Sequence, residues 1–226
     1  MGFYRGVEQN RNQEKKLKAV PEKGFGLFFH ILFGHATKIL LLNLLFVAFS
    51  IPIVTLPAAL SGVSRVMMLL MRDGYVHVFQ DFWKEFKESF WRSLALGAIF
   101  AGIFVLLYIA AKLYPVIVAD EIFSTVLFSL AVALIVILGV AFSYAIPMQS
   151  MVRLPFSKLI KNSCILLYAR PLATIMIAAI VVLENYLIFG LFPETIPLTL
   201  VVIPTVAQLG VCTVLKPVFE DLIYAE

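Results

Sequence analysis

Apolar segments of membrane-spanning length dominate this sequence and limit the folds that are open to it. A helix needs roughly 20 apolar residues to cross about 30 Å of hydrocarbon, and several segments between Ile39 and Leu215 meet or approach that length. Hydrophobic residues make up 62% of the 226 residues and charged residues only 14%, whereas soluble domains are nearer to half apolar and a quarter charged. The sequence therefore predicts an all-α fold, a polytopic membrane helical bundle.

Proline, glycine and charged residues divide the apolar part of the chain into six predicted spans. Pro52 and Pro57 separate the first two, because proline disfavours helix before it but fits the first turn of a helix. The predicted spans cover residues 39–50, 57–71, 93–114, 122–146, 164–190 and 198–215. A re-entrant pair that never crosses the bilayer is the alternative for residues 50–71.

Lysine and arginine residues set the predicted orientation, because they accumulate on the cytoplasmic side of membrane proteins. With the N-terminus inside, the cytoplasmic side collects the basic tail, both long basic loops and Lys216, while the outer side holds only Lys112. If residues 50–71 did not cross, both basic loops would lie outside. We therefore predict a multi-pass protein of the cell membrane with both termini in the cytoplasm.

The polar ends of the chain define the predicted domains. Residues 1–24 are polar and basic and form a flexible cytoplasmic tail, residues 25–216 form one membrane domain, and residues 217–226 form a short cytoplasmic tail. The net charge of +4 does not indicate nucleic acid, because the basic residues flank apolar segments. The lipid bilayer is the partner that the composition predicts.

The clearest local pattern is an aromatic stripe from Tyr75 to Phe90, with spacings of three and four residues. Charged residues fill the opposite side, which predicts an amphipathic helix that lies in the cytoplasmic headgroup plane or packs on the chain's own spans. The alternative is a docking helix for a partner protein. Its candidate docking residues are Phe79, Phe82, Phe86, Phe90, Lys84 and Lys87.

Five polar residues lie inside predicted spans and are the candidate functional residues: Glu184, Asn185, Arg65, Gln208 and Asn43. A carboxylate in hydrocarbon is costly unless it is paired, protonated or hydrated, so Glu184 is the first candidate. The alternative is that Glu184 lies near the outer surface of the membrane and has no special function. Gln208 and Asn43 either neighbour Glu184 or hold helices together, and Arg65 can extend to the cytoplasmic surface.

The sequence contains no pattern typical of an enzyme, a metal site or a cofactor site. His30 and His35 are five residues apart and do not share a helix face, as a zinc-binding pair at i and i+4 would. No Ser-His-Asp order, phosphate-binding glycine loop or paired carboxylate motif is present. Cys164 and Cys212 lie in or beside apolar runs and are expected to be small buried residues.

Several motifs resemble the YesL family of bacterial membrane proteins. They are Leu42-Asn-Leu-Leu-Phe46, Ser50-Ile-Pro-Ile-Val-Thr55, Pro57-Ala-Ala-Leu60, Asp73-Gly-Tyr75 with the Phe-rich segment from Phe79 to Lys87, Ile146-Pro147 and Lys161-Asn162. The resemblance extends over nearly the whole chain after Phe25. Leu56 stands where the family has glycine, and residues 149–153 replace the family's Ala-Arg-Phe.

The YesL family is usually encoded beside carbohydrate ABC transporters. The resemblance therefore implies a non-enzymatic accessory or regulatory component of carbohydrate ABC transport, with the transporter permease subunits as partners. A self-sufficient transporter or channel for small solutes is the alternative, and it rests on Glu184, Arg65 and the proline breaks.

Overall fold

The computed structural model describes residues 24–117, 120–151, 155–190, 194 and 202–223, and these residues form α-helices and contain no strand. The helices are α1 Gly24–Gly34, α2 Ala36–Ser50, α3 Leu56–Asp73, α4 Val78–Ile117, α5 Glu121–Met151, α6 Phe156–Ala169, α7 Pro171–Asn185 and α8 Ile203–Ile223. A 3₁₀ turn at Ile53–Thr55 precedes α3, and a π-helical turn at Tyr186–Gly190 follows α7. The predicted all-α fold is confirmed, and nearly all of the predicted N-terminal tail lies outside the described residues.

Four segments are long and apolar enough to cross a membrane: Ile53–Asp73, Val78–Ile117, Glu121–Met151 and Pro171–Ile188. Helices α1 and α2 pass the same test together, but they meet at an angle of 84°. Helix α8 is apolar over the shorter stretch Ile203–Phe219. The described residues therefore contain four or five candidate spans by length and composition, which is consistent with a membrane protein, while the count of six stays a prediction.

Helix α4 differs most from the predicted boundaries. The sequence separates an amphipathic helix that ends near Phe90 from a span that begins near Ser93, but the structure has one helix of 40 residues over Val78–Ile117. Neither proline nor glycine lies between Phe90 and Ser93, so nothing in the backbone ends the helix there. A helix of this length extends for about 60 Å, roughly twice the hydrocarbon thickness, so only part of α4 fits inside a bilayer.

Two other predicted boundaries were wrong because proline acted differently at each. The fifth predicted span is split at Arg170, where φ is −130° and ψ is 69°, because proline at the first position of α7 disfavours helix in the residue before it. Pro147, expected to end the fourth span, lies inside α5, which continues to Met151. Cys164 lies in α6 and is exposed, against expectation, whereas Cys212 is buried as predicted.

Helix α3 lies at the centre of the bundle and contacts α2, α4, α5 and α8. Within its most apolar stretch 56% of residues are buried inside the chain, against 6% for the span that starts at Pro171. Asp73-Gly74 ends α3 as the sequence predicts, since Gly74 adopts a φ of 69° and its N–H donates to the Leu70 carbonyl. The other helices are therefore arranged around α3.

Small residues bring α3 and α4 into close contact at two places. A Cβ atom on Gly97 would lie 2.2 Å from Cγ of Pro57, and one on Gly62 would lie 2.8 Å from the Phe82 ring. Small residues at helix interfaces allow this approach. The two contacts are five residues apart on α3 and fifteen residues apart on α4.

Replacement of Gly97 by alanine tests the close contact between α3 and α4. We expect Gly97→Ala to lower the free energy of unfolding by about 1–3 kcal/mol, because the Pro57 ring is rigid and the helices must separate. Gly102→Ala is the matched control. Gly102 lies on the same helix, and a Cβ atom added there meets no neighbouring atom within 4 Å. Thermal unfolding in detergent micelles measures both, and equal melting temperatures would contradict the expectation.

Candidate functional site

A polar cavity of about 640 Å³ lies where α3, the first half of α4 and the end of α5 meet. Six of its ten lining residues carry ionisable groups, and they comprise three cations and three carboxylates. The lining consists of Arg65, Asp81, Lys84, Glu85, Glu88, Ser89, Arg92, Gln149, Ser150 and Met151. The volume is in the range of about 300–1,000 Å³ that is usual for small-molecule sites.

The spacing of charges along α4 explains how the cavity forms. Asp81, Glu85, Glu88 and Arg92 follow one another at intervals of four, three and four residues, so they share one face of the helix. This face was predicted as the charged side of an amphipathic helix. The structure places it opposite α3 and the last turn of α5, where it becomes the wall of a cavity.

Arg65 forms the α3 side of the cavity. Its Nη1 donates to the Ser150 carbonyl at 3.0 Å and lies 3.6 Å from the Met151 sulfur. Within the described part of the chain, Arg65 forms no ion pair with a carboxylate. The guanidinium therefore keeps N–H donors that the described residues do not use.

A chain of hydrogen bonds connects the cavity residues Gln149, Ser89 and Glu85 through Ser93. Gln149 Nε2 donates to Ser93 Oγ at 2.6 Å, Ser93 Oγ donates to Ser89 Oγ at 3.3 Å, and Ser89 Oγ donates to the Glu85 carbonyl at 2.8 Å. Gln149 is only 5% exposed, and its Oε1 has no hydrogen-bond partner among the described residues. The cavity therefore contains one buried acceptor that this network does not satisfy.

Apolar side chains continue beyond this network along α4 and α5. Leu96 is fully buried on α4, and Ala145 and Ile146 are 0% and 1% exposed on α5. One turn further, the rings of Phe100 and Phe142 lie 5.3 Å apart. These apolar residues begin one turn from Ser93 and Gln149 along their helices, and of those two residues Gln149 lines the cavity.

Glu184 lines a second cavity, an apolar cleft of about 460 Å³ between α1, α7 and α8. It is the one ionisable residue among those that line the cleft, and no described residue forms an ion pair or hydrogen bond with it. Neighbouring Asn185 is exposed and donates to the Val181 carbonyl of its own helix at 2.8 Å. The polar cavity and this cleft share no lining residue, so Arg65 and Glu184 belong to different sites.

Asn43 and Gln208 join helices and do not line the cleft of Glu184. Thr205 on α8 donates to Oδ1 of the fully buried Asn43 on α2. Gln208 Nε2 donates to Ser64 Oγ at 2.8 Å and so connects α8 to α3. Of the two predicted alternatives for these amides, the structure supports helix association.

A double-mutant cycle on Ser64 and Gln208 tests the bond between α3 and α8. We expect Ser64→Ala and Gln208→Ala to couple by about 0.6–1.7 kcal/mol, the range measured for interhelical hydrogen bonds inside membranes. Unfolding in mixed micelles measures the free energy of unfolding of the wild type, of each single variant and of the double variant. Asn185→Ala is the control, because it removes an exposed amide that bonds only within its own helix. Strictly additive losses at Ser64 and Gln208 would contradict the coupling.

Two rings of the aromatic stripe, those of Phe82 and Phe86, pack inside the chain. Phe82 is 0% exposed and Phe86 is 8% exposed. Their ring centroids lie 5.5 Å and 5.1 Å from that of Phe49 on α2. These two rings are therefore not available to a partner, and the self-packed alternative accounts for them.

The other candidate docking residues are distributed over different surroundings. Phe79 is 56% exposed, and Phe90 is half-buried. Lys84 lines the polar cavity, and the Lys87 ammonium lies 4.6 Å above the Trp83 ring. The six residues thus form no single exposed surface.

Alanine substitutions on α4 distinguish the buried face from the exposed one. Phe82→Ala should lower the free energy of unfolding by about 3–5 kcal/mol, since it empties a fully buried site. Phe79→Ala should change it by less than about 0.5 kcal/mol, because that ring is largely exposed. Chemical unfolding in detergent measures both variants, and equal losses would be inconsistent with the observed packing.

Sequence reasoning identified Arg65 but missed the residues that surround it. Gln149 was noted only as part of a departure from a family pattern, and Ser89 and Ser93 carried no local signal. The spacing of acidic and basic residues on α4 did indicate a polar face, which was predicted as the charged side of an amphipathic helix. Only the position of α5 reveals that this face is covered.

Comparison with known proteins gives one match. Residues 39–111 match the family model described as "Protein of unknown function, DUF624". The matched segment begins in α2 and ends in α4, so it includes Arg65 and the α4 wall of the polar cavity. No curated protein and no solved structure matches the chain.

Proposed function

We propose that this chain is a six-span membrane protein of the YesL family that acts as a non-enzymatic accessory or regulatory component of carbohydrate ABC transport. In this proposal, both termini and the basic loops face the cytoplasm. Its partners are the lipid bilayer and the permease subunits of the transporter. The family assignment rests on the motifs between Leu42 and Lys87, which fall within the matched residues 39–111.

The observation that carries this proposal is that buried apolar side chains follow the polar cavity along α4 and α5. A solute path needs polar or hydrated groups along its length, but Leu96 and Ile146, one turn beyond Ser93 and Gln149, are buried and apolar. A cavity of this kind can bind a ligand without conducting it. The arrangement therefore favours a binding or regulatory role over a self-sufficient transporter.

The proposed six crossings need one helix more than the four or five candidate spans of the described residues. In this proposal, the bent pair α1–α2 forms one crossing, the four long segments form four, and the shorter apolar helix α8 forms the sixth. The span that starts at Pro171 has only 6% of its residues buried inside the chain. Its apolar surface is available to lipid or to the helices of a permease subunit.

One observation favours the second candidate function, a self-sufficient small-solute transporter. Glu184 lies in a candidate span and has no partner among the described residues. Ionisable groups inside spans often mark solute or proton pathways. The cleft around it is almost entirely apolar, which makes this candidate the weaker of the two.

Purification from native membranes tests the accessory role. We expect the tagged chain in mild detergent to recover carbohydrate ABC permease subunits in stoichiometric amounts, as measured by mass spectrometry. An unrelated polytopic protein with the same tag is the control. Recovery of the chain alone, or only of further copies of itself, would contradict the proposal. Solute uptake into liposomes by the wild type and by Glu184→Gln would then test the transporter alternative.

A further inference from the structure

Two groups in the polar cavity have hydrogen-bonding capacity that the described part of this chain does not use. The Arg65 guanidinium has five N–H donors. Its Nη1 atom contacts the Ser150 carbonyl and the Met151 sulfur. Gln149 Oε1 is a buried acceptor without a partner. Both residues line the same cavity. A ligand that accepts from one and donates to the other would satisfy both.

The burial of Gln149 makes its unpaired oxygen informative. An unsatisfied buried acceptor costs about 1–3 kcal/mol, and most such atoms in folded proteins have a partner. The side chain is 95% buried and its amide nitrogen is held by Ser93, 2.6 Å away. The oxygen is thus presented in a fixed position, as expected for a group that receives a hydrogen bond from a ligand.

The cationic residues indicate the anionic part of the ligand. Arg65, Lys84 and Arg92 all line the cavity. A guanidinium matches a phosphate or a carboxylate in two-point contact. A phosphate carries more acceptor oxygens than a carboxylate and can contact Arg65 and a second cation together. The three carboxylates in the same lining balance the three cations, which favours one phosphate over a polyphosphate.

The acceptors indicate the rest of the ligand. Besides Gln149 Oε1, the carboxylate of Asp81 lines the cavity, and its Oδ2 accepts a hydrogen bond from the His77 N–H at 2.9 Å. Ionised carboxylates only accept hydrogen bonds, so hydroxyl groups on the ligand suit this wall. A cavity of about 640 Å³ has room for a phosphate with a short polyol attached.

We propose that this cavity binds a glycerophosphate group, with its phosphate on Arg65 and a hydroxyl donating to Gln149 Oε1. Two sources provide this chemistry: soluble glycerol phosphate and the headgroup of phosphatidylglycerol. The binding site is independent of the proposed role in carbohydrate transport. Loss of the ABC partner would therefore leave binding unchanged.

Binding measurements on the purified full-length chain test the site. Isothermal titration with glycerol 3-phosphate, on protein in phosphatidylcholine nanodiscs, tests the soluble source. Native mass spectrometry from nanodiscs with equal parts phosphatidylglycerol and phosphatidylcholine tests the lipid source. Saturable binding of one equivalent of either ligand supports the proposal and identifies the source. Absence of saturable binding of both would overturn it, as would tighter binding of glycerate than of glycerol 3-phosphate.

Matched variants assign the binding to the two residues. We expect Arg65→Gln to weaken binding at least about tenfold, whereas Arg72→Gln, which removes the same charge from an exposed position on α3, leaves it unchanged. Gln149→Met should also weaken binding, and Gln80→Met, at an exposed position on α4, should not. Equal affinity of wild type and Arg65→Gln would overturn the proposal.

Two further variants keep the test valid if Arg65→Gln fails to fold. Arg65→Lys keeps the charge but loses the two-point contact, so it should bind more weakly than wild type and more tightly than any variant without a cation there. Gln149→Glu places a carboxylate near Arg65 and should abolish phosphate binding. Unfolding temperatures confirm that both variants are folded. Undiminished binding by folded Gln149→Glu would contradict the assignment.

Discussion

The close packing of α3 against α4 is the interaction on which most of the described structure depends. Pro57 and Gly97 allow the two backbones to approach, and lipid provides no hydrophobic drive between helices that could replace such contacts. Because α3 is held there, Ser64 reaches Gln208 on α8 and Arg65 reaches the end of α5. A loss of this contact would change both the helix association and the wall of the polar cavity.

The buried polar residues of this chain have two kinds of surroundings. Asn43 and Gln208 are matched with a hydroxyl on a neighbouring helix, so their polarity serves to hold the bundle together. Arg65 and Gln149 line a cavity and keep capacity for further hydrogen bonds. Residues of the first kind specify which helices meet, and residues of the second kind are those expected in a binding site. Glu184 also lines a cavity without a partner among the described residues, but the rest of its cleft is apolar.

Local patterns predicted secondary structure better than they predicted surroundings. The aromatic spacing predicts a helix from Tyr75 to Phe90, and the structure has a helix that begins at Val78, in which Phe82 and Phe86 pack on Phe49. Periodicity shows which side chains share a face, and it does not show which element covers that face. Boundaries at proline were predicted with mixed success: Pro57 lies in the first turn of α3 as predicted, whereas Pro171 splits the predicted fifth span and Pro147 lies within α5. A helix inside a bundle tolerates proline when neighbouring groups compensate for the missing bond.

The sequence by itself determined that this chain is helical and apolar enough to reside in a membrane, because composition and segment length do not depend on how helices pack. It also singled out Arg65 as a costly residue in an apolar setting. Only the tertiary structure decided that Arg65 and Glu184 belong to separate cavities, and that Gln149 faces the first of them. The physical reason is that a cavity forms between elements distant in sequence, and α3 and the end of α5 meet only after the bundle has assembled.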